Sequence, residues 1–147
     1  MRRILACIDL SPSSVVVARA AVELAGDGGK VVMLHVAAPD PDFVGYSAGP
    51  ESVREAVAHE LRAEHRATQD LASEFTGMGP AVTALTVQGV AVERILEHAE
   101  RESVALIVMS SRRHGILHEA LAGSVVRGVL HRATVPVVVV PPEERRP

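Results

Sequence analysis

The sequence predicts an α/β protein: a three-layer open sheet of five parallel strands with helices on both faces. Three observations predict it. Short runs at 4–8, 31–36, 105–109 and 135–140 are continuously apolar rather than alternating, as strands buried on both faces are. A segment of helical spacing follows each of the first four strands, so no two strands meet through a tight turn. Repeated β-α-β alternation requires a parallel sheet covered by helices. Right-handed crossovers then favour orders with the first strand near the centre.

Residues 4–8 (Ile-Leu-Ala-Cys-Ile) form the first strand, bounded by Arg2-Arg3 and by Asp9-Leu10-Ser11-Pro12. Ser11 followed by Pro12 reads as a helix start. Serine caps, and proline at the first helical position loses no useful N–H. The Ala- and Val-rich stretch 13–25, with Arg19 and Glu23 on one face, reads as a helix stopped by Gly26-Asp27-Gly28-Gly29. Residues 31–36 form the second strand. Residues 37–50 carry three prolines, two glycines, Phe43 and Tyr46, and read as a loop long enough to be a lid or binding loop.

Residues 51–75 read as a long helix, with Val53, Val57, Leu61, Leu71 and Phe75 on the inner stripe and Arg54, Glu55, Arg62, Glu64 and Arg66 pointing elsewhere. Gly77-Met78-Gly79-Pro80 ends it. Residues 81–87 alternate in part and read as an edge strand. Val92, Ile95, Leu96 and Ala99 mark the next helix, and 105–109 the fourth strand. Ser110 to Leu117 is a polar, basic loop. Ala120, Leu121, Val125, Val126, Val129 and Leu130 fit a helical stripe, and 135–140 is the last strand. Pro136 marks that strand as an edge or stands at its start. The four valines after it would leave an apolar edge open, which the same strand of a second copy would cover in a symmetric dimer through Val137, Val138 and Val139.

Composition narrows the function classes. The chain has 147 residues, a span that suits one domain, and no composition break divides it. A net charge of −3 gives no general pull toward nucleic acid or acidic membranes. Phe43, Phe75 and Tyr46 are the only aromatic residues, too few for a base-stacking platform. No stretch reaches the roughly 20 apolar residues that span a bilayer, and the N-terminal run is too short for a signal peptide. A single cysteine, Cys7, excludes an internal disulfide and fits the cytoplasm. Placed in a buried strand, it reads as inert packing.

Ligands of such sheets bind outside the carboxyl ends of the strands, where the winding reverses. That edge carries Asp9, the loop after Val36 and the loop after Met109. Asp9 has the chemistry to accept hydrogen bonds from a ribose or adenine, and it is also a common turn or cap residue; position alone does not choose. Ser110-Ser111-Arg112-Arg113-His114-Gly115 suits a phosphate site, with small residues for close backbone approach and guanidinium groups for charge. It equally suits a solvated basic loop. His114 and His118 have metal-ligand spacing but no third ligand in pattern, and no metal site is expected. His35, inside a strand, reads as a satisfied core histidine. His59, His65 and His98 fall on polar helix faces. Neither a nucleophile elbow nor a Walker-type loop is present.

The pattern resembles the universal stress protein family over nearly the whole chain. Ile4-Leu5-Ala6-Cys7-Ile8-Asp9-Leu10-Ser11 looks like its opening strand with aspartate and serine. Leu34-His35-Val36 resembles its second strand, and Gln88-Gly89 with Ile95-Leu96 the segment around its third helix. Val108-Met109, Leu121-Ala122-Gly123-Ser124-Val125 and Val135-Pro136-Val137-Val138-Val139 resemble its C-terminal third. The pieces stand in order and at matching separations. The resemblance implies an adenine nucleotide alpha hydrolase-like sheet of order 3-2-1-4-5 and a homodimer joined through the C-terminal edge strand.

The family has an ATP-binding branch and one that does not bind ATP. The binding branch carries Gly-x-x-Gly, nine residues, then Gly-Ser or Gly-Thr. Counted back from Gly123-Ser124, the first two glycines fall on Ser110 and Arg113. The sequence thus keeps the second half of the motif and departs from the first. Either the Arg113 guanidinium replaces an amide contact to phosphate, or it fills the site. Asp9 matches the family's ribose-side aspartate and Val36 the position whose backbone recognises adenine. With Met109, Ser110, Arg113, Gly123 and Ser124 they are the candidate nucleotide-binding residues. Cys7 stands where binding members often have proline. The resemblance implies a stress-response regulatory module that holds ATP or another adenine nucleotide, with or without Mg²⁺, and signals to a protein partner. At most slow hydrolysis is expected. The alternative is a dimeric interaction protein with Arg113 in the phosphate site.

Overall fold

Strand β1 (Arg3–Cys7) is the central strand of a five-stranded parallel sheet. The structure, a computed structural model, describes residues 2–39, 51–111 and 124–141. Along the chain β1 is followed by α1 (Ser14–Ala25), β2 (Lys30–Ala37), α2 (Glu51–Glu74), β3 (Ala81–Gln88), α3 (Ala91–Arg101), β4 (Leu106–Ser110), α4 (Ser124–Arg132) and β5 (Val137–Val140). The strands lie in the order β3-β2-β1-β4-β5, as the resemblance implies. The register runs from Arg3↔Lys30 to Cys7↔Leu34 on one side of β1 and from Ile4↔Leu106 to Ala6↔Val108 on the other.

Continuous apolar runs are needed because each strand buries both faces. Ile4, Ala6 and Ile8 face a core with Val17, Ala18 and Ala21 of α1 and Leu71 of α2. Leu5 turns the other way, into a core with Ile95 and Ala99 of α3, Ile107 and Met109 of β4 and Val129 of α4. Successive residues of a strand point to opposite faces, so one short run serves both cores. Helices α1 and α2 therefore cover one face, and α3 and α4 the other. Each fully buried aliphatic side chain contributes roughly 1.5–3 kcal/mol, and with so few aromatics these supply most of the core.

Both expected edges are edges. Among the described residues β5 pairs only with β4 and β3 only with β2, and Pro136 stands just before β5, its carbonyl accepting from the Ile107 amide at 3.0 Å. Four details depart from the sequence reading here, and two more, at Glu64 and His65, belong to the site below. Helix α1 begins at Ser14, after a turn at 11–13, because the Asp9 carboxylate organises that turn. Val53 is 45% exposed. A 24-residue helix is about 36 Å long, whereas the eight-residue strands beside it span about 26 Å. The first turns of α2 thus overhang the carboxyl edge. Leu130 is 51% exposed because Val129, one residue and about 100° away on the helix, takes the inward position. His98 is buried rather than on a polar face. Among the described residues, no helix is long and apolar enough to cross a membrane. The 40–50 part of the expected loop and the His114/His118 pair lie outside the described residues.

Candidate functional site

Asp9 follows β1 at the carboxyl edge and is exposed. Its Oδ1 accepts three hydrogen bonds: from the Ser11 amide at 2.9 Å, the Ser11 hydroxyl at 2.6 Å and the Ser14 hydroxyl at 3.0 Å. The Ser13 amide in turn donates to Ser11 Oγ at 3.2 Å. An aspartate bonded to the amide two residues on closes an Asx turn. Leu10 sits at the middle of that turn with φ of 64°. A leucine in this left-handed region costs on the order of 1–2 kcal/mol, a strain held by the three bonds to Oδ1. The turn reading of Asp9 is thus realised, and it occupies one carboxylate oxygen. Among the described residues, Oδ2 takes none of these bonds.

Val36 lies beside this turn on β2. Leu34 gives its carbonyl to the Ile8 amide at 2.8 Å, toward β1, and Ala37 gives its carbonyl to the Gly89 amide at 3.2 Å, toward β3. Backbone groups alternate sides along a strand. The Val36 N–H and C=O therefore face the β1 side, where β1 has already turned away into Asp9 and Leu10. This leaves one donor and one acceptor side by side at the edge.

Across the sheet, β1 pairs with β4 no further than Ala6↔Val108, while β4 continues to Ser110, paired with Val140 of β5. The Ser111 amide extends that pairing to the Val140 carbonyl at 3.0 Å. Beyond their ends β1 and β4 lead to helices on opposite faces, so the winding reverses between Asp9 and Ser110, the place where such sheets offer their ligand crevice. The Met109 side chain is buried in the core, so only its backbone borders the crevice. Ser124 is the exposed first described residue of α4, and the topology brings that end of the helix to the same edge. The N-terminal end of a helix is the end whose dipole suits an anion. Arg113 and Gly123 lie outside the described residues. Val137 and Val138 are half-buried and Val139 is 36% exposed on the β5 edge, far from this crevice in role.

Two histidines beneath the edge join α2 to the sheet. His35 Nδ1 donates to the Ile8 carbonyl at 2.8 Å, and its Nε2 lies 3.1 Å from Glu64 Oε2. The satisfied core histidine expected at 35 is present. His65 Nδ1 is bonded to the Thr86 hydroxyl at 2.8 Å, so His65 is tied to β3 rather than free on a polar face. The roles of Glu64 and His65 escaped the sequence reading. A signal existed: Glu64, His65 and Thr68 continue the inner stripe between Leu61 and Leu71 at helical spacing, where apolar residues are the norm. Cys7 is partly exposed as a residue, yet burial around its sulfur pushes the thiol from 9.0 up to about 12, in keeping with inert packing. Among the described residues, no group of three His, Cys, Asp or Glu side chains is placed to hold a metal ion.

Known proteins resemble this chain in sequence and fold. The family model described as "Universal stress protein family" matches residues 1–141. The chain is 34% identical over 141 residues to universal stress protein A homolog 1 of Coxiella burnetii, covering 95% of each. It is 32% identical over 123 residues to a universal stress protein of Thermus aquaticus, covering 82% of this chain and 84% of that one. The solved structure of protein MJ0577 superposes with a TM-score of 0.76 at 26% identity, covering 98% of both chains. More distant structures share the fold alone: a universal stress protein in complex with cAMP (TM-score 0.65, 18% identity) and one from Arabidopsis thaliana with AMP bound (TM-score 0.61, 16% identity). A family match over nearly the full length, two curated relatives above 30% identity and a fold shared with a solved structure converge, and the chain belongs to the universal stress protein family.

Proposed function

We propose that this protein is a cytoplasmic regulatory module that binds an adenine nucleotide at the carboxyl edge of its sheet and acts as a homodimer. One observation carries the nucleotide reading. Asp9 keeps Oδ2 for a ligand while Oδ1 is spent on the turn, and the donor–acceptor pair of Val36 faces the same gap. A ribose hydroxyl suits the first and an adenine edge the second. Phosphates would extend toward Ser110 and the start of α4 at Ser124. The AMP- and cAMP-bound relatives lend support through the shared fold. The function is binding rather than turnover, with slow hydrolysis at most.

The β5 edge supports the dimer. Four valines line a strand paired on one side only, and Val139 is part exposed. Antiparallel pairing with the same strand of a second copy would cover it. A protein partner would then read the nucleotide state of the pair.

Calorimetric titration of ATP, ADP, AMP and cyclic AMP, with and without Mg²⁺, tests the nucleotide reading. Saturable binding weakened in Asp9→Ala is expected. No binding up to millimolar ligand would overturn it. A second reading rests on Arg113 standing where binding relatives have glycine. In that reading the guanidinium plugs the phosphate site. Binding that emerges only in Arg113→Gly would favour the plug, and binding weakened by that change would make Arg113 a phosphate ligand.

A further inference from the structure

We propose that His35 is a positioning residue that couples the seating of α2 to the placement of Asp9. Ile8 is the last residue that β2 holds before the chain leaves the sheet. Its amide donates to the Leu34 carbonyl at 2.8 Å, and its carbonyl accepts from His35 Nδ1 at 2.8 Å. That carbonyl shares a planar peptide with the Asp9 amide. Fixing its direction fixes the direction in which Asp9 leaves the strand, while the bonds to Oδ1 fix the far end of the same residue.

The other nitrogen of the ring reaches a different element. Nε2 lies 3.1 Å from the Glu64 carboxylate, 29 residues further along the chain on α2. A carbonyl oxygen has no hydrogen to give, so Nδ1 carries the hydrogen of the Ile8 bond. The Glu64 bond then needs a second hydrogen, on Nε2 or on the carboxyl group. Both ring nitrogens are therefore committed, and the ring is rigid and buried. A displacement of Glu64 rotates the imidazole and weakens its hold on Ile8. The adjoining residue on β2 is Val36, the other half of the candidate site. A ligand that favours one orientation of Asp9 thus favours a seated α2, and a partner that holds α2 seated favours the ligand by the same factor. Exposed Arg54, Glu55 and Arg62 on α2 would carry this change to the surface. Only the ligand half of the inference rests on the nucleotide reading.

The test is amide hydrogen exchange on the full chain without ligand, in wild type, Glu64→Leu, Glu64→Gln and His35→Asn. Glu64→Leu removes the bond from the α2 side. It should speed exchange in segment 8–14, on another element, about tenfold, the effect of losing roughly one hydrogen bond to a charged group. Glu64→Gln retains a hydrogen-bonding amide and should return exchange to within about twofold of wild type. His35→Asn places an amide nitrogen near the position of Nδ1 but cannot reach Glu64. It should loosen α2 while segment 8–14 stays protected. Acceleration confined to α2 in Glu64→Leu, or no recovery in Glu64→Gln, would overturn the proposal. If Glu64→Leu fails to fold, the contrast between Glu64→Gln and His35→Asn decides. AMP titration adds the ligand half: affinity should fall about tenfold in Glu64→Leu and recover in Glu64→Gln. Failure of AMP to bind wild type would sink the nucleotide reading and leave the exchange data to judge the coupling.

Discussion

Gly128 sits in the middle of α4, where glycine ordinarily weakens a helix by about 1 kcal/mol relative to alanine. Its place is explained by α3: a Cβ on residue 128 would stand 2.7 Å from Val92 Cγ2 and 3.2 Å from Val92 Cγ1. Comfortable carbon–carbon contact begins near 3.5 Å. Gly128→Ala must therefore push the helices apart or rotate a β-branched side chain that has little rotameric freedom. Overpacking of this kind costs about 1–3 kcal/mol. Set against the helix gain of about 1 kcal/mol, the single variant is neutral to about 2 kcal/mol less stable. In a Val92→Ala background the obstacle is gone, and the same change should stabilise by about 1 kcal/mol. The coupling in a double-mutant cycle is then about 1–3 kcal/mol. Urea denaturation of the four proteins at one protein concentration measures it, a precaution the proposed dimer would require because association makes stability concentration-dependent. A coupling below about 0.5 kcal/mol, with Gly128→Ala stabilising in both backgrounds, would refute the argument. Ser124 lies one turn before Gly128 on the same face of α4, so the close approach of α3 and α4 also sets where that helix start stands at the site.

Other outcomes follow from the same geometry. Asp9→Asn keeps an acceptor at Oδ1 and should leave urea stability within about 0.5 kcal/mol of wild type, yet weaken AMP binding about tenfold in calorimetry by removing a charged acceptor; unchanged affinity would place the ligand elsewhere. Cys7, with its thiol raised from 9.0 to about 12, should be modified by a thiol reagent at pH 8 about a thousandfold more slowly in the native protein than in urea, and equal rates would contradict its burial. The folded state holds that proton more tightly than the unfolded chain, so the contribution of Cys7 to stability is complete below pH 9 and declines as pH rises toward 12. In the proposed dimer, Val139→Glu would set like charges against each other across a symmetric β5 pair and should shift sedimentation equilibrium toward monomer; a dimer of unchanged affinity would move the interface off β5, and a monomeric wild type would overturn the dimer.

Much of this architecture was legible because its signals are local. Four continuous apolar runs announce strands buried twice over, and Pro136 announces an edge before any pairing is seen. The partial alternation of 81–87 marks the other edge, where one flank of β3 lacks a neighbour. What escaped depends mostly on lengths and bonding partners that the apolar pattern does not show. Val53 has the spacing of a core residue, but α2 is longer than the strands it covers and carries Val53 past their ends. Ser11-Pro12 has the form of a helix start, but a carboxylate two residues earlier draws Ser11 and Ser14 into its own turn and delays the helix. Within the site, the place of Asp9 at the carboxyl end of β1 was legible from the strand pattern, whereas Val36 entered through the family resemblance. Glu64 was legible only in part: its spacing puts it on the inner stripe of α2, but its partner His35 lies 29 residues away on a strand.

The central place of β1 has a consequence for the order in which the molecule is made. Of these five strands β1 is made first, and it finds β2 within about 30 residues of chain. Its other neighbour begins at Leu106, and the Ala105 amide closes onto the Arg3 carbonyl at 2.7 Å. At roughly 5–20 residues per second, that flank of β1 waits on the order of 5–20 s during synthesis. The β3-β2-β1 half can assemble in that interval, and β4 and β5 must dock onto it afterwards across long chain separations, the slow kind of contact. The crevice between Asp9 and Ser110 straddles this seam, so it takes shape only when the second half arrives.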